Sequence, residues 1–222
     1  RSEPVDIQLK SSDITEDFFN NPTMHEIRRK MLAGEEVEEC WVCKESEIAS
    51  GKSHRTFIMK DADREVVDEI FKTGKVELRS LDIRFGTKCN LACVMCGPTA
   101  SSTIFTIQKP GQKVPKGFHQ DNKNINDDLS ELRYLKFVGG EPMLEKKHDD
   151  LLEMVIEQNE DPSQLEMEYH TNASVFPSQR VIECWKKIKL VRIIFSLDGV
   201  GEKVKLQRPG KYVWQDLIED MD

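Results

Sequence analysis

Cys89, Cys93 and Cys96 are the residues whose type and spacing point most directly to chemistry. They stand at C-x3-C-x2-C. Thiolates are soft ligands that suit iron–sulfur clusters. Three of them can hold three corners of a cubic four-iron cluster. The fourth iron then stays open, as a catalytic metal keeps one position free for substrate. A structural zinc site is the alternative. Zinc ligands usually come as C-x2-C pairs, however, and a complete site needs four. After Cys96 the next cysteine is Cys184, far along the chain.

Other residues offer ligand chemistry of a different kind. Gly139 and Gly140 lack side chains, so a ligand can approach their backbone closely. Glu141 adds a carboxylate and Pro142 stiffens the turn. Alone, this run also reads as a tight strand-to-helix turn with an exposed Glu. Arg208 carries a planar fork matched to a carboxylate, with Ser196 as a second polar contact. A turn-capping Ser and a surface Arg are the bland alternatives. Asn172 either faces a ribose or substrate or closes an Asx turn. Asp198 reads as a turn former before Gly199, His170 as a structural histidine, and Cys184, beside Trp185, as a small buried hydrophobe. Cys40 and Cys43 form a separate C-x2-C pair: half a zinc site, a redox pair or two core thiols. His54 would complete a zinc site only with a fourth partner.

The elements that must position these residues alternate in type. Strands are expected over 77–85, 132–138, 165–170 and 190–195, and helices over 103–108, 146–158 and 178–188, with another starting near Trp214. Such alternation implies a parallel sheet with helical crossovers. Each motif falls at the C-terminal end of a strand, where α/β barrels collect their active groups. Upstream, residues 23–32 and 61–73 have helical spacing, and 1–20 read as extended chain. Residues 109–125 read as a long loop, either a lid or a surface insertion.

Composition narrows the classes. The chain has 222 residues and a net charge of −8, with 38% hydrophobic and 32% charged residues. That is globular, and the negative charge argues against a broad nucleic-acid surface. No apolar run reaches the length of a membrane span, and nothing reads as an export leader. A cytoplasmic protein with its six cysteines reduced is therefore expected. The first residue is Arg rather than Met, so the start is expected to lie upstream.

The C-x3-C-x2-C run after a first strand, with G-G-E-P after the second and S-x-D-G…R after the fourth, resembles the radical S-adenosylmethionine (SAM) enzymes. The resemblance implies a [4Fe–4S] cluster on Cys89, Cys93 and Cys96, with SAM chelated to the open iron. It implies that Gly139, Gly140, Glu141 and Pro142 bind the methionine amino group. Ser196 and Arg208 would meet the methionine carboxylate. Met95 stands where the family usually has an aromatic or bulky residue near the adenine. The implied reaction is reductive cleavage of SAM to a 5′-deoxyadenosyl radical that abstracts hydrogen from an unknown substrate, a peptide or protein or a small molecule. Flavodoxin or ferredoxin would be the reductant. The implied fold is part of a (β/α)6 barrel with about four βα units over 79–222, with about two more expected beyond. Residues 1–78, with C-x2-C-x3-E-x3-G-x-S-x-R, resemble the small irregular twitch or SPASM-like region that carries an auxiliary iron–sulfur cluster. Cys40 and Cys43 would be two of its ligands, the rest lying upstream. A zinc-binding adaptor and an iron–sulfur protein that only transfers electrons are the rival readings.

Overall fold

The computed structural model describes residues 22–60, 64–73, 77–84, 86–114 and 128–219. The described residues fall into two compact units, one running to Glu77 and one from Leu78 onward. The expected extended chain at 1–20 and most of the loop at 109–125 lie outside the described residues.

The N-terminal unit is helical, which corrects the expectation of an irregular region. It holds α1 (Pro22–Leu32), α2 (Trp41–Ser50), α3 (His54–Lys60) and α4 (Arg64–Thr73). Its punctuation is local. Gly51 takes a left-handed φ of 68° as the C-cap of α2, a conformation open to a residue without Cβ. Ser53 and Thr56 then cap α3 reciprocally, the Thr56 N–H donating to Ser53 Oγ at 3.1 Å and the Ser53 N–H to Thr56 Oγ1 at 2.8 Å. These caps start and stop two short helices that apolar periodicity alone does not reveal.

The C-terminal unit is built on a four-stranded parallel sheet, in the order β1 (Ser80–Arg84), β2 (Tyr134–Val138), β3 (Glu166–Thr171), β4 (Leu190–Phe195). The helices are α5 (Ser102–Gln108), α6 (Lys146–Gln158), α7 (Gln179–Trp185), α8 (Val204–Gln207) and α9 (Trp214–Glu219). The expected parallel βα alternation is present, as a partial barrel would have it. β1 and β2 are shorter than expected, because pairing starts at Ser80↔Tyr134. Helix α7 stops at Trp185 rather than running to 188, and α8 was not anticipated. Among the described residues β4 pairs only with β3.

Period-two alternation sends Leu81, Ile83, Leu135, Phe137, Met167 and Tyr169 into the core. α6 covers that face with Leu152 and Val155, which are fully buried. The rings continue the contact: Phe137 lies 4.9 Å from His148 of α6, and Tyr169 lies 5.4 Å from Trp185 of α7. The buried His148 is satisfied by the Tyr169 hydroxyl and by Asp149, both at 2.9 Å. Within this packing Cys184 is buried, as a small hydrophobe would be.

The opposite face is charged. Asp82, Lys136, Glu168 and Arg192 occupy one register level across the four strands. Among the described residues no helix is long and apolar enough to cross a membrane.

Candidate cluster and cofactor site

Parallel strands in register bring their C-terminal ends to one edge of the sheet. The loops after β1, β2, β3 and β4 all leave from there and carry the residues singled out in the sequence.

The loop after β1 is stitched on both sides. On one side the Ser102 N–H donates to Thr87 O at 2.7 Å and the Thr103 hydroxyl to Cys89 O at 2.6 Å. Ser101 caps α5, accepting from the Ile104 N–H. On the other side residues 207–210 run along the loop. The Val94 N–H donates to Gln207 O at 2.9 Å and the Ala92 N–H to Pro209 O at 2.8 Å, and Leu91 bridges antiparallel to Gly210. Leu91 is the buried anchor of the loop, 1% exposed.

The three thiols of this loop are free. Cys93 is buried, while Cys89 and Cys96 are half-buried. Burial pushes the Cys89 thiol up, with the charges of Glu141 and Cys96 adding to it. Burial also raises Cys93; the charges of Cys96 and Cys89 add to this, while Arg208 opposes it. Yet among the described residues no group of three or more His, Cys, Asp or Glu is arranged to hold a single metal ion. Thiolates on one zinc at about 2.3 Å lie only about 3.8 Å apart. Three thiols on one loop are nonetheless the soft donor set that an iron–sulfur cluster takes, each sulfur on a different iron. Met95 sits in the same turn and is largely exposed.

The loop after β2 folds back onto the cysteine loop. The Gly140 N–H donates to Gly86 O at 3.0 Å and the Glu141 N–H to Lys88 O at 2.8 Å. A Cβ on Gly140 would lie 2.1 Å from the Lys88 carbonyl oxygen. The close approach that this glycine permits is thus made by the protein's own backbone. Gly139 has φ 138°. Glu141 is not exposed, as the tight-turn reading had it, but 1% accessible. Its carboxylate accepts from the Thr171 hydroxyl and from the Asn172 N–H, both at 2.8 Å. Burial holds this carboxyl above its usual range, against the pull of those bonds. Pro142 is buried and starts a single 3-10 turn, Pro142–Leu144.

Asn172 forms the Asx turn of its second reading. Its Oδ1 accepts the Ser174 N–H at 2.9 Å, an Asx turn, while its Nδ2 donates to Asn90 Oδ1 at 3.1 Å and to Cys89 Sγ at 3.7 Å. After β4, the Ser196 N–H donates to Thr171 O at 2.8 Å. Arg208 is mostly buried rather than a surface charge. Its Nε donates to Asp198 Oδ2 at 2.6 Å and its Nη1 to Cys93 Sγ at 3.6 Å. His170 stands apart, on the charged face of the sheet, paired with Glu168 at 2.9 Å.

Sequence reasoning missed two members of this constellation. Asn90 links the cysteine loop to the β3 loop, donating to Ser174 Oγ at 2.7 Å. Asp198, read as a turn former, is the ion-pair partner of Arg208. The one available signal was an acid and a base ten residues apart.

In the N-terminal unit, Cys40 ends a 3-10 turn (Glu38–Cys40) and Cys43 lies in the first turn of α2, so the two share one helix face. Cys40 lines a cavity of about 390 Å³ with Lys44 and Arg55. Among the described residues no third ligand joins the pair or His54.

The family model of the Radical SAM superfamily matches residues 83–221. No curated protein matches the chain. Among solved structures, the crystal structure of Streptococcus suis SuiB bound to S-adenosylmethionine is similar at 17% identity, covering 93% of this chain and 42% of that one with a TM-score of 0.39. A second crystal structure of Streptococcus suis SuiB is similar at 17% identity, with 93% and 41% covered and a TM-score of 0.38. The chain spans less than half the length of that protein. The family match takes in all four strands' C-terminal loops and well over half of the chain, which therefore belongs to the radical SAM superfamily.

Proposed function

We propose that this chain is the core of a radical SAM enzyme, with Cys89, Cys93 and Cys96 as the three protein ligands of a [4Fe–4S] cluster. The observation that carries the reading is that Asn172 and Arg208, from the loops after β3 and β4, reach the sulfurs of Cys89 and Cys93 at 3.7 and 3.6 Å. When bound, the cluster would supply the electron that cleaves SAM into methionine and a 5′-deoxyadenosyl radical.

The chain's own residues bind and orient. Gly139, Gly140, Glu141 and Pro142 form the cradle for the methionine amino group, and the buried Glu141 keeps that cradle rigid through Thr171 and Asn172. Ser196 and the N–H groups of Arg208 not used by Asp198 or Cys93 face the methionine carboxylate, where a guanidinium offers five donors in all. Met95 is assigned to the adenine side. Burial of Cys93 and Glu141 excludes water from the floor of the site.

The substrate is a peptide or protein, or a small molecule, with an unactivated C–H bond, and the electron comes from a flavodoxin- or ferredoxin-like donor. Cys40 and Cys43 are assigned as two ligands of an auxiliary iron–sulfur cluster, supported by their placement on one helix face. The zinc-adaptor reading gives no role to the G-G-E-P turn or to Arg208 beside Cys93.

The test is anaerobic reconstitution with iron and sulfide, followed by SAM and dithionite. The expected result is a broad absorption near about 400 nm and formation of 5′-deoxyadenosine, both abolished by Cys93→Ala. Tight zinc without iron, or an intact cluster that never cleaves SAM, overturns the proposal.

A further inference from the structure

Two side chains outside the cysteine motif direct N–H groups at the sulfurs of that motif. Asn172 Nδ2 lies 3.7 Å from Cys89 Sγ, and Arg208 Nη1 lies 3.6 Å from Cys93 Sγ. Both distances suit hydrogen bonds to sulfur, which is larger than oxygen.

Neither group is aimed by chance. An amide can be turned over, but here the backbone N–H of Ser174 occupies Oδ1 at 2.9 Å, and a backbone N–H can only donate. The oxygen of Asn172 is thereby fixed away from Cys89, and the NH2 group must face it. The guanidinium of Arg208 is held by Asp198 through Nε at 2.6 Å. The backbone of Arg208 is held at both ends as well, its N–H donating to Val204 O at 2.9 Å and its carbonyl accepting from the Tyr212 hydroxyl at 3.1 Å. Each donor is therefore set in place by groups other than the sulfur it faces.

We infer that Asn172 and Arg208 are positioning residues that raise the reduction potential of the cluster by hydrogen bonding to its cysteine sulfurs. The proposal rests on the cluster assignment above and, for Arg208, adds a role to SAM binding. The physical reason is the sign of the charge. Three thiolates and the cluster sulfides carry net negative charge, and one-electron reduction adds one more. An N–H pointed at sulfur stabilises the reduced form more than the oxidised form, and a cationic donor does so more strongly. Burial of Cys93 reduces screening by water. The electron itself comes from an external one-electron donor, dithionite in the test below.

The experiment is a redox titration of the reconstituted protein without SAM, followed by the electron paramagnetic resonance signal of the reduced cluster. Leaving SAM out separates this role from cofactor binding. Asn172→Asp keeps an acceptor for the Ser174 N–H and removes the donor. Arg208→Gln removes the charge, and Arg208→Lys restores it. Asn172→Asp and Arg208→Gln are each expected to make reduction at least tenfold less favourable, a fall of about 59 mV for one electron. Arg208→Lys is expected to recover most of that loss, and Lys186→Gln, a surface change on the sequence stretch after α7, to cause none. A potential unmoved in both Asn172→Asp and Arg208→Gln overturns the inference while leaving the cluster assignment intact. Failure of wild-type protein to assemble any cluster overturns the assignment itself.

If a variant does not retain its cluster, wild-type protein with 15N-labelled arginine gives a second reading. Pulsed resonance on the reduced cluster is expected to detect coupling to the labelled nitrogen. Its absence contradicts the Arg208 contact.

Discussion

The carboxylate of Glu141 accepts the hydroxyl hydrogen of Thr171 across 2.8 Å, and so joins the loop after β2 to the last residue of β3. Its second oxygen takes the backbone N–H of Asn172 at the same distance. A single acidic side chain thus fixes two of the loops that meet at the cysteines. Because Asn172 in turn reaches Cys89, a disturbance at Glu141 is transmitted to the sulfurs.

Glu141→Gln tests this link. An amide offers one acceptor oxygen where the carboxylate offered two, so its NH2 must face either the Thr171 hydroxyl or the Asn172 N–H. With the NH2 on the Thr171 side that hydroxyl turns to accept, the Met143 N–H loses the oxygen it donates to at 3.4 Å, and charge-assisted bonds become neutral ones, together a loss of about 1–3 kcal/mol. The expected result is a lower midpoint in urea denaturation and a lower iron content after reconstitution. Unchanged stability and loading would show that the carboxylate does not organise these loops.

Gly140 and Gly97 make a matched pair within the same region. A Cβ at Gly140 would overlap the backbone of Lys88 and Thr87, which cannot rotate away. At Gly97 the nearest atom is Thr99 Oγ1 at 3.9 Å, an ordinary contact. Gly140→Ala is expected to destabilise by about 3 kcal/mol, at the upper end of overpacking effects. Gly97→Ala should stay within about 0.5 kcal/mol, as surface changes do. Thermal unfolding of the two variants checks both figures, and equal effects would contradict the geometry.

The charged face of the sheet sets an acid limit. Burial alone would raise the carboxyl of Glu168, but bonds from His170 and Lys136, with Arg192 behind them, outweigh it and hold the group at about 2. A carboxylate lowered on folding contributes stability that is complete above its unfolded value, near about 4.3. That contribution is lost as pH falls from there through about 2. Glu141 works in the other direction, since its raised value makes the ionised form a burden above the unfolded range. Urea midpoints between pH 5 and 2 (roughly the window set by these shifts) are expected to fall more steeply for wild type than for Glu168→Gln. Parallel curves would show that the cluster of charges around Glu168 adds nothing.

Much of this was legible because the signals are local and periodic. Alternation in β2 to β4 and the apolar face of α6 placed those elements to within two residues, and the motifs fell at the strand ends as expected. The caps of α2 and α3 were not legible, since Gly51, Ser53 and Thr56 act through φ and reciprocal hydrogen bonds rather than through an apolar stripe. Glu141 was read as a ligand or an exposed turn residue because no sequence pattern announces burial of a carboxylate. The pairing of residues 207–210 with the cysteine loop joins positions more than a hundred apart, and nothing in either stretch points to the other.

That last pairing yields the remaining prediction. Residues 207–210 brace the loop from outside, and Gln207 and Pro209, on either side of Arg208, are bonded to Val94 and Ala92 while Arg208 reaches Cys93. The bracing depends on Gly210. A Cβ there would lie 2.1 Å from Leu91 Cδ2, and Leu91, at 1% exposure, has little room to turn aside. Gly210→Val adds two further methyl groups to the same space. The expected effect is a destabilisation of about 1–3 kcal/mol, together with faster loss of iron to a chelator, because the loop loses one of its two walls. Gly210→Ala should show the same change in smaller degree. The measurement is the decay of cluster absorption under chelator challenge. If Gly210→Val holds its cluster as long as wild type, the brace is not what keeps the cysteine loop in shape.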